Sequence, residues 1–205
     1  MTERAVERDA YHHGALPEAL VAAALEVLDE QGQEKVSVRE VARRAGVSAG
    51  APFRHFADRQ ALLTALADRV LADFVRWQEA EVTAAEGGSG LRALGLGCVR
   101  YALRHPRRFE LVRSRMFAPE PPREPELREQ LEFIEREFTV LIVADQEAGR
   151  VRPGDPALVK LAGQALVYGL AQMIVDGYLP AAQAEELAER VLDTFRDGIA
   201  NGRPQ

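Results

Sequence analysis

The chain has 205 residues, 47 % of them hydrophobic and 28 % charged, as in a soluble globular protein of one large domain or of a small domain joined to a larger one. Its formal net charge is −6 and its single cysteine is Cys98, which excludes an internal disulfide and a cysteine-rich metal site. The opening stretch MTERAVERDAYHHG mixes charges of both signs and has no apolar run, unlike a secretory signal, so a cytoplasmic location is expected.

In chain order, Leu16, Leu20, Ala24, Val27 and Leu28 recur with helical spacing, and Gly32 is placed to end that helix in a left-handed conformation. "SVRE", Ser37 to Glu40, reads as a capping box, with the serine oxygen accepting from a backbone N–H and the glutamate reaching back. The short helix that follows turns Val38, Val41, Ala42 and Ala45 inward and stops at Gly46. From Asp58, a helix cap, Leu62, Leu66, Val70 and Phe74 mark a long helix.

"AEGGSG", residues 85–90, is a break. The next helix runs to Pro106, and "APEPPREP", residues 118–125, reads as a proline-rich loop. Leu127, Leu131, Ile134, Phe138, Leu141 and Ile142 then mark a long helix ended by Gly149. Asp155-Pro156 opens an almost wholly apolar helix over 157–179, punctuated by Lys160, Gln164, Gln172 and Asp176. These polar residues favour a buried helix over a membrane span. A last helix is expected to turn Leu187, Val191, Phe195 and Ile199 inward. No stretch alternates with the period of a strand, and the chain is read as all-α.

The stretch AGVSAGAPFRHF, Ala45 to Phe56, carries the functional signal. Gly46 provides the positive φ of a tight turn between two helices, and Ser48 is placed to cap the second. Pro52 falls in its first turn, where a missing N–H costs little, and Phe53 and Phe56 are expected beneath it. Ala49, Gly50 and Ala51 present almost no bulk at the end that enters the DNA major groove in helix-turn-helix proteins. Around it, Arg39, Arg43, Arg44, Arg54 and Arg59 face only Glu40 and Asp58 between Val36 and Arg59, a basic segment within an acidic chain.

Tyr11 to about Asp68, with its SVREVARRAGVSAGAPFRHFADRQALLTALAD, resembles the DNA-binding head of the TetR family of bacterial transcriptional regulators. The remainder, with VRYALRHPRRFELVRSRMF and ALVYGLAQMIVDGYL, resembles the ligand-binding domain of a branch that usually carries Trp-His-Gly. Here the triplet is Val167, Tyr168 and Gly169.

The resemblance implies an N-terminal three-helix helix-turn-helix head, residues 1–57, joined by a long helix to a larger helical ligand-binding and dimerisation domain, residues 58–205. It implies DNA contacts from Ser37, Arg39, Ser48, Ala49, Gly50, Ala51, Phe53, Arg54, His55 and Arg59. Tyr11, His12 and His13 form a candidate arm along the DNA backbone. Aromatic and sulfur-bearing residues available to line an effector pocket are Phe74, Trp77, Tyr101, Phe109, Met116, Phe117, Phe133, Phe138, Tyr168 and Met173. The implied partners are a double-stranded operator, a second copy of the chain and an apolar or amphipathic small molecule. The last two helices are read as the dimer interface, because a helix that is apolar all round needs cover on two sides.

No metal or cofactor is expected, since His12 and His13 have only His55 and His105 as companions. A repressor released by its ligand is the reading the resemblance implies, and the residues do not separate it from an activator. An activator of the same fold remains an alternative, as does a helical-bundle enzyme, although the chain lacks G-x-S-x-G, H-E-x-x-H and a phosphate-binding loop.

Overall fold

The computed structural model describes residues 3–85, 89–116 and 125–199, and within them every regular element is helical. The chain divides into two compact units, Met1–Leu71 and Ala72–Gln205.

In the first unit α1 (Glu3–Gln31) packs on α2 (Val38–Arg44). Leu20, Ala24, Val27, Leu28, Val38, Val41 and Ala42 are buried between them. Gly32 and Gly46 take φ of 93° and 69°, which glycine adopts without Cβ strain. After α2, Gly46 N–H donates to Arg43 O and Val47 N–H to Ala42 O, the paired bonds of a Schellman cap. The capping box forms by half. Glu40 N–H donates to Ser37 Oγ at 3.2 Å, but the Glu40 carboxylate turns forward to Arg43 instead of back. Tyr11, His12 and His13, the candidate arm along the DNA backbone, lie within α1.

The segment after Gly46 differs from the expected α-helix. It is a run of turns ending in a 3-10 turn, Pro52–Arg54, whose start has no side-chain cap, so Ser48 does not cap it. Pro52 explains the difference. In an α-helix residue 52 would donate to Ser48 O, and proline has no N–H. Ala51 N–H takes that carbonyl at 3.0 Å instead, and Arg54 and His55 repeat the i→i−3 pattern onto Ala51 and Pro52, the tighter 3-10 winding. The helix α3 (Arg59–Ala84) follows, its first turn capped by Asp58 Oδ1 on Ala61 N–H at 2.8 Å. Its residues 59–71 belong to the first unit and 72–84 to the second.

In the second unit α4 (Gly90–Arg104) packs against α5 (Pro106–Met116), α6 (Pro125–Glu147), α7 (Pro156–Val175) and α8 (Ala181–Ile199). Two glycines of α4 set these approaches. A Cβ on Gly95 would lie 3.1 Å from the Leu192 methyls and 3.3 Å from Val167 Cγ2. A Cβ on Gly97 would fall on Gln78 Oε1 and lie 2.9 Å from Glu81 Cγ, both on α3. Trp77 Nε1–H donates to Gly97 O at 2.9 Å and Gln78 Nε2–H to Leu94 O at 3.1 Å. Arg100 bridges Glu81 of α3 at 2.7 Å and Glu185 of α8 at 2.6 Å.

Gly97→Ala therefore tests the α3–α4 contact. Helix propensity alone favours alanine by about 1 kcal/mol, whereas overpacking typically costs about 1–3 kcal/mol. With Glu81 Cβ, fixed to its own backbone, 3.1 Å from the added methyl, overpacking wins. A lower urea midpoint is expected for Gly97→Ala. A raised midpoint would show that α3 yields freely.

One helix end and one buried face differ from the sequence reading. α7 stops at Val175, where Gly177 at φ 73° and the Tyr178 N–H to Met173 O bond close a Schellman cap; the apolar run beyond it, Tyr178 and Leu179, is outside the helix. On α8 the buried face is Ala184, Ala188 and Leu192, while Leu187, Val191 and Phe195 are only half-buried. Ile199 closes the helix. α7 buries Val167, Leu170, Ala171 and Ile174 and leaves Leu158 and Leu161 65 % and 62 % exposed, with Ala162, Ala165 and Gly169 on the same bare side. It is thus covered on one side.

Candidate nucleic-acid interface and interior aromatic group

The basic segment sorts into two groups once α1 and α2 are folded together. Arg44 reaches Glu30 on α1 at 2.7 Å and Glu26 at 3.7 Å. Arg43 takes Glu40 at 2.6 Å and holds that carboxyl below its ordinary pKa through their hydrogen bond. Arg44 does the same to Glu30. Arg59 donates from Nε to Val36 O at 2.7 Å and from Nη2 to Gln33 O at 2.8 Å, tying the start of α3 to the turn before α2.

Arg39, Arg54 and His55 remain. All three are exposed, and none of their side chains has a hydrogen bond or ion pair with a described residue. Beside Arg54 and His55 in the chain lie the exposed Ser48, Ala49, Gly50 and Phe53, with Ala51 half-buried. No neighbour lies within 4 Å of where a Gly50 Cβ would be. Phe53 and Phe56 part company: Phe56 is buried and Phe53 is 54 % exposed. The 3-10 turn ends between them, and His55 at φ −117° redirects the chain. The result is a surface of basic side chains, small residues and one aromatic ring, with its neighbouring arginines neutralised by carboxylates or held on carbonyls. Ser37 is half-buried behind it as the α2 cap.

In the second unit the aromatic residues form two groups. Tyr101 packs edge-on to Phe74 with centroids 5.0 Å apart and to Trp77 at 5.8 Å. His105, which the sequence placed only as a helix-end residue, joins them 5.1 Å from Tyr101 and 6.2 Å from Trp77. In the other group Tyr168 stacks on Phe109 at 6.2 Å, and its O–H donates to Met116 Sδ at 3.0 Å. Burial raises the Tyr168 phenol well above its ordinary pKa and pushes the Cys98 thiol up to about 12, so Cys98 is a neutral, buried thiol.

Phe138 is half-buried, whereas Phe133 and Met173 lie on exposed faces of α6 and α7. Phe117 falls outside the described residues, as does most of the 118–125 loop. The sequence reading missed Gln172 and Gln78. Each has a buried Oε1 without a hydrogen-bond partner among the described residues. The only signal was a polar residue on an apolar face, and at Gln78 not even that.

A helix-turn-helix head followed by a separate helical unit is an architecture of DNA-binding transcription regulators. The comparisons make the assignment specific. Residues 20–66 match the bacterial regulatory proteins of the tetR family, and residues 91–195 match the tetracyclin repressor-like C-terminal domain. The chain belongs to the TetR family of transcriptional regulators.

It is 40 % identical over 57 residues to the tetracycline repressor protein class A from transposon 1721 of Escherichia coli, a match covering 28 % of this chain and 26 % of that protein. The chain spans about a quarter of the length of the curated relatives it matches. Over most of its length it is similar to a solved protein of unknown function from Rhodococcus sp. RHA1, with 33 % identity and a TM-score of 0.77, covering 93 % of this chain and 98 % of that one. A TetR family regulator from Marinobacter aquaeolei VT8 shares the fold at 18 % identity and a TM-score of 0.66, covering 94 % and 100 % of the two chains.

Proposed function

We propose that the protein is a homodimeric repressor that binds a near-palindromic operator and is released by a small apolar or amphipathic molecule. The observation that carries the reading is the exposed set Arg39, Arg54 and His55 beside Ser48, Ala49, Gly50 and Phe53. Basic side chains without partners among the described residues are ready to meet phosphates, and a stretch without bulk lets the backbone approach base edges in the major groove. Ser37, Ala51 and Arg59 belong to the same proposed contact surface, Arg59 with two of its donors already committed to carbonyls.

The dimer reading rests on the bare side of α7, Leu158, Leu161, Ala162, Ala165 and Gly169, with the half-buried Leu187, Val191 and Phe195 on α8. A twofold copy covers such a stripe with itself and sets the two reading segments roughly 34–36 Å apart, one DNA turn. The effector reading rests on the interior aromatic groups of the second unit, drawn from Phe74, Trp77, Tyr101, Phe109, Met116, Phe138 and Tyr168. α3 runs from these residues into the first unit. An effector that displaces α3 alters operator affinity by a coupling of about 1–3 kcal/mol, roughly 5–150-fold.

The test is a fluorescence-anisotropy titration of the protein against DNA from the region upstream of its own coding sequence, with scrambled competitor and a salt series. Site-specific binding with a steep salt dependence is expected, because each phosphate contact releases a counterion. Equal, weak binding to scrambled DNA, and no enriched site in a selection from genomic fragments, would overturn the reading.

A further inference from the structure

The apolar helix α7 carries polar residues four apart, Lys160, Gln164, Tyr168 and Gln172, a spacing that moves round the helix from the α6 side at Lys160 to Gln172, which is seven residues from Ala165 and borders the bare side. Lys160 pairs with Glu135 on α6, and Tyr168 meets Phe109 and Met116 on α5. Gln172 gives its Nε2–H to Asp176 Oδ1 at 2.8 Å, which fixes the orientation of the amide and points its oxygen elsewhere. That oxygen is buried and accepts no hydrogen bond from any described residue, an arrangement that costs free energy unless a donor reaches it. One helical turn earlier, the Tyr168 O–H donates to a thioether sulfur, a weak acceptor on a flexible, readily displaced side chain.

We propose that Tyr168 and Gln172 together recognise the hydroxyl group of a flat, apolar effector. This rests on the reading of the second unit as an effector-binding domain. A hydroxyl is the small neutral group that satisfies both demands, donating to Gln172 Oε1 while accepting from Tyr168 O–H in place of Met116 Sδ. A carbonyl or ether can serve Tyr168 but leaves Gln172 without a donor. An ammonium group would bring a charge into an apolar interior. The Phe109 and Tyr168 rings, stacked with an interplanar angle of 28°, and the Met116 thioether favour an aromatic body for the ligand.

The experiment uses the full-length protein with three matched probes: 2-naphthol, 2-methoxynaphthalene and 2-methylnaphthalene. Binding is followed by calorimetry and by the methyl resonances of 13C-methyl-methionine, of which the chain has three. 2-Naphthol is expected to bind the wild-type protein about tenfold more tightly than either analogue and to shift the Met116 methyl, assigned with Met116→Leu. Tyr168→Phe and Gln172→Met are each expected to remove that preference while still admitting 2-methylnaphthalene.

Equal affinity for the three probes, an undiminished preference in both variants, or no binding of any probe overturns the proposal. So does a Gln172→Met variant that keeps the preference but self-associates more weakly, since the oxygen then faces a second copy. Titration of the unliganded wild-type protein against operator DNA is run alongside and reports on the regulator reading independently of the probes.

Discussion

Ala165→Glu is expected to give a folded single chain that no longer holds its operator. Ala165 is exposed at the middle of the bare α7 side, between Leu158 and Gly169, so a glutamate there meets water in the isolated chain and costs little. Against a twofold copy the same substitution places two carboxylates into an apolar contact, where burial of unpaired charge is strongly unfavourable. Sedimentation should move from the mass of two chains to that of one, with helical content retained. Operator affinity should fall by about 10²–10⁴-fold, because the second head then no longer acts at the effective concentration that the first provides. A variant that still sediments as a dimer would mean that a different face pairs the subunits.

The second large effect is expected from Arg54→Ala combined with His55→Ala. Both side chains are exposed and have no partner among the described residues, so stability should change by no more than about 0.5 kcal/mol. The loss falls on DNA. Operator affinity at physiological salt should drop by about 10–100-fold, and the slope of log affinity against log salt should flatten by about one for each phosphate contact removed. Arg43→Ala is the internal control. It makes an equal change in formal charge at an arginine already paired with Glu40, and a much smaller effect is expected. If the double variant binds as the wild type does, the surface around Pro52 is not the contact.

Periodicity was enough to place helices such as α3, where Leu62, Leu66, Val70 and Phe74 repeat at the helical period and all four are buried, but it left α5 unplaced. Caps were legible for the same local reason: Asp58, Asp155 and Gly149 act within a few residues of themselves. What stayed hidden depends on partners far away in the chain. Arg44 looks like a free cation until α1 brings up Glu26 and Glu30. Arg59 looks like a phosphate ligand until its donors are found on the carbonyls of Gln33 and Val36, and a carbonyl has no letter in a sequence. The winding after Gly46 failed for a subtler reason. Pro52 was rightly placed in a first turn, but the carbonyl it leaves to Ala51 tightens the segment to 3-10, which turns Phe53 outward. For the pocket residues the limit was exposure: Phe133 and Tyr168 are both aromatic residues on apolar helices, and only packing separates the exposed ring from the stacked one.

Gly95 and Gly97 lie two residues apart on α4, nearly opposite one another around the helix. One faces Val167 and Leu192, the other Gln78 and Glu81. Most helix contacts have side chains on both partners that can change rotamer under load. At these two points α4 has no side chain to yield. A push from the α7–α8 side is therefore carried by backbone, across the width of a single helix, to the residues of α3. A displacement here meets one layer of side chains on each side of α4 where an ordinary helix contact offers two.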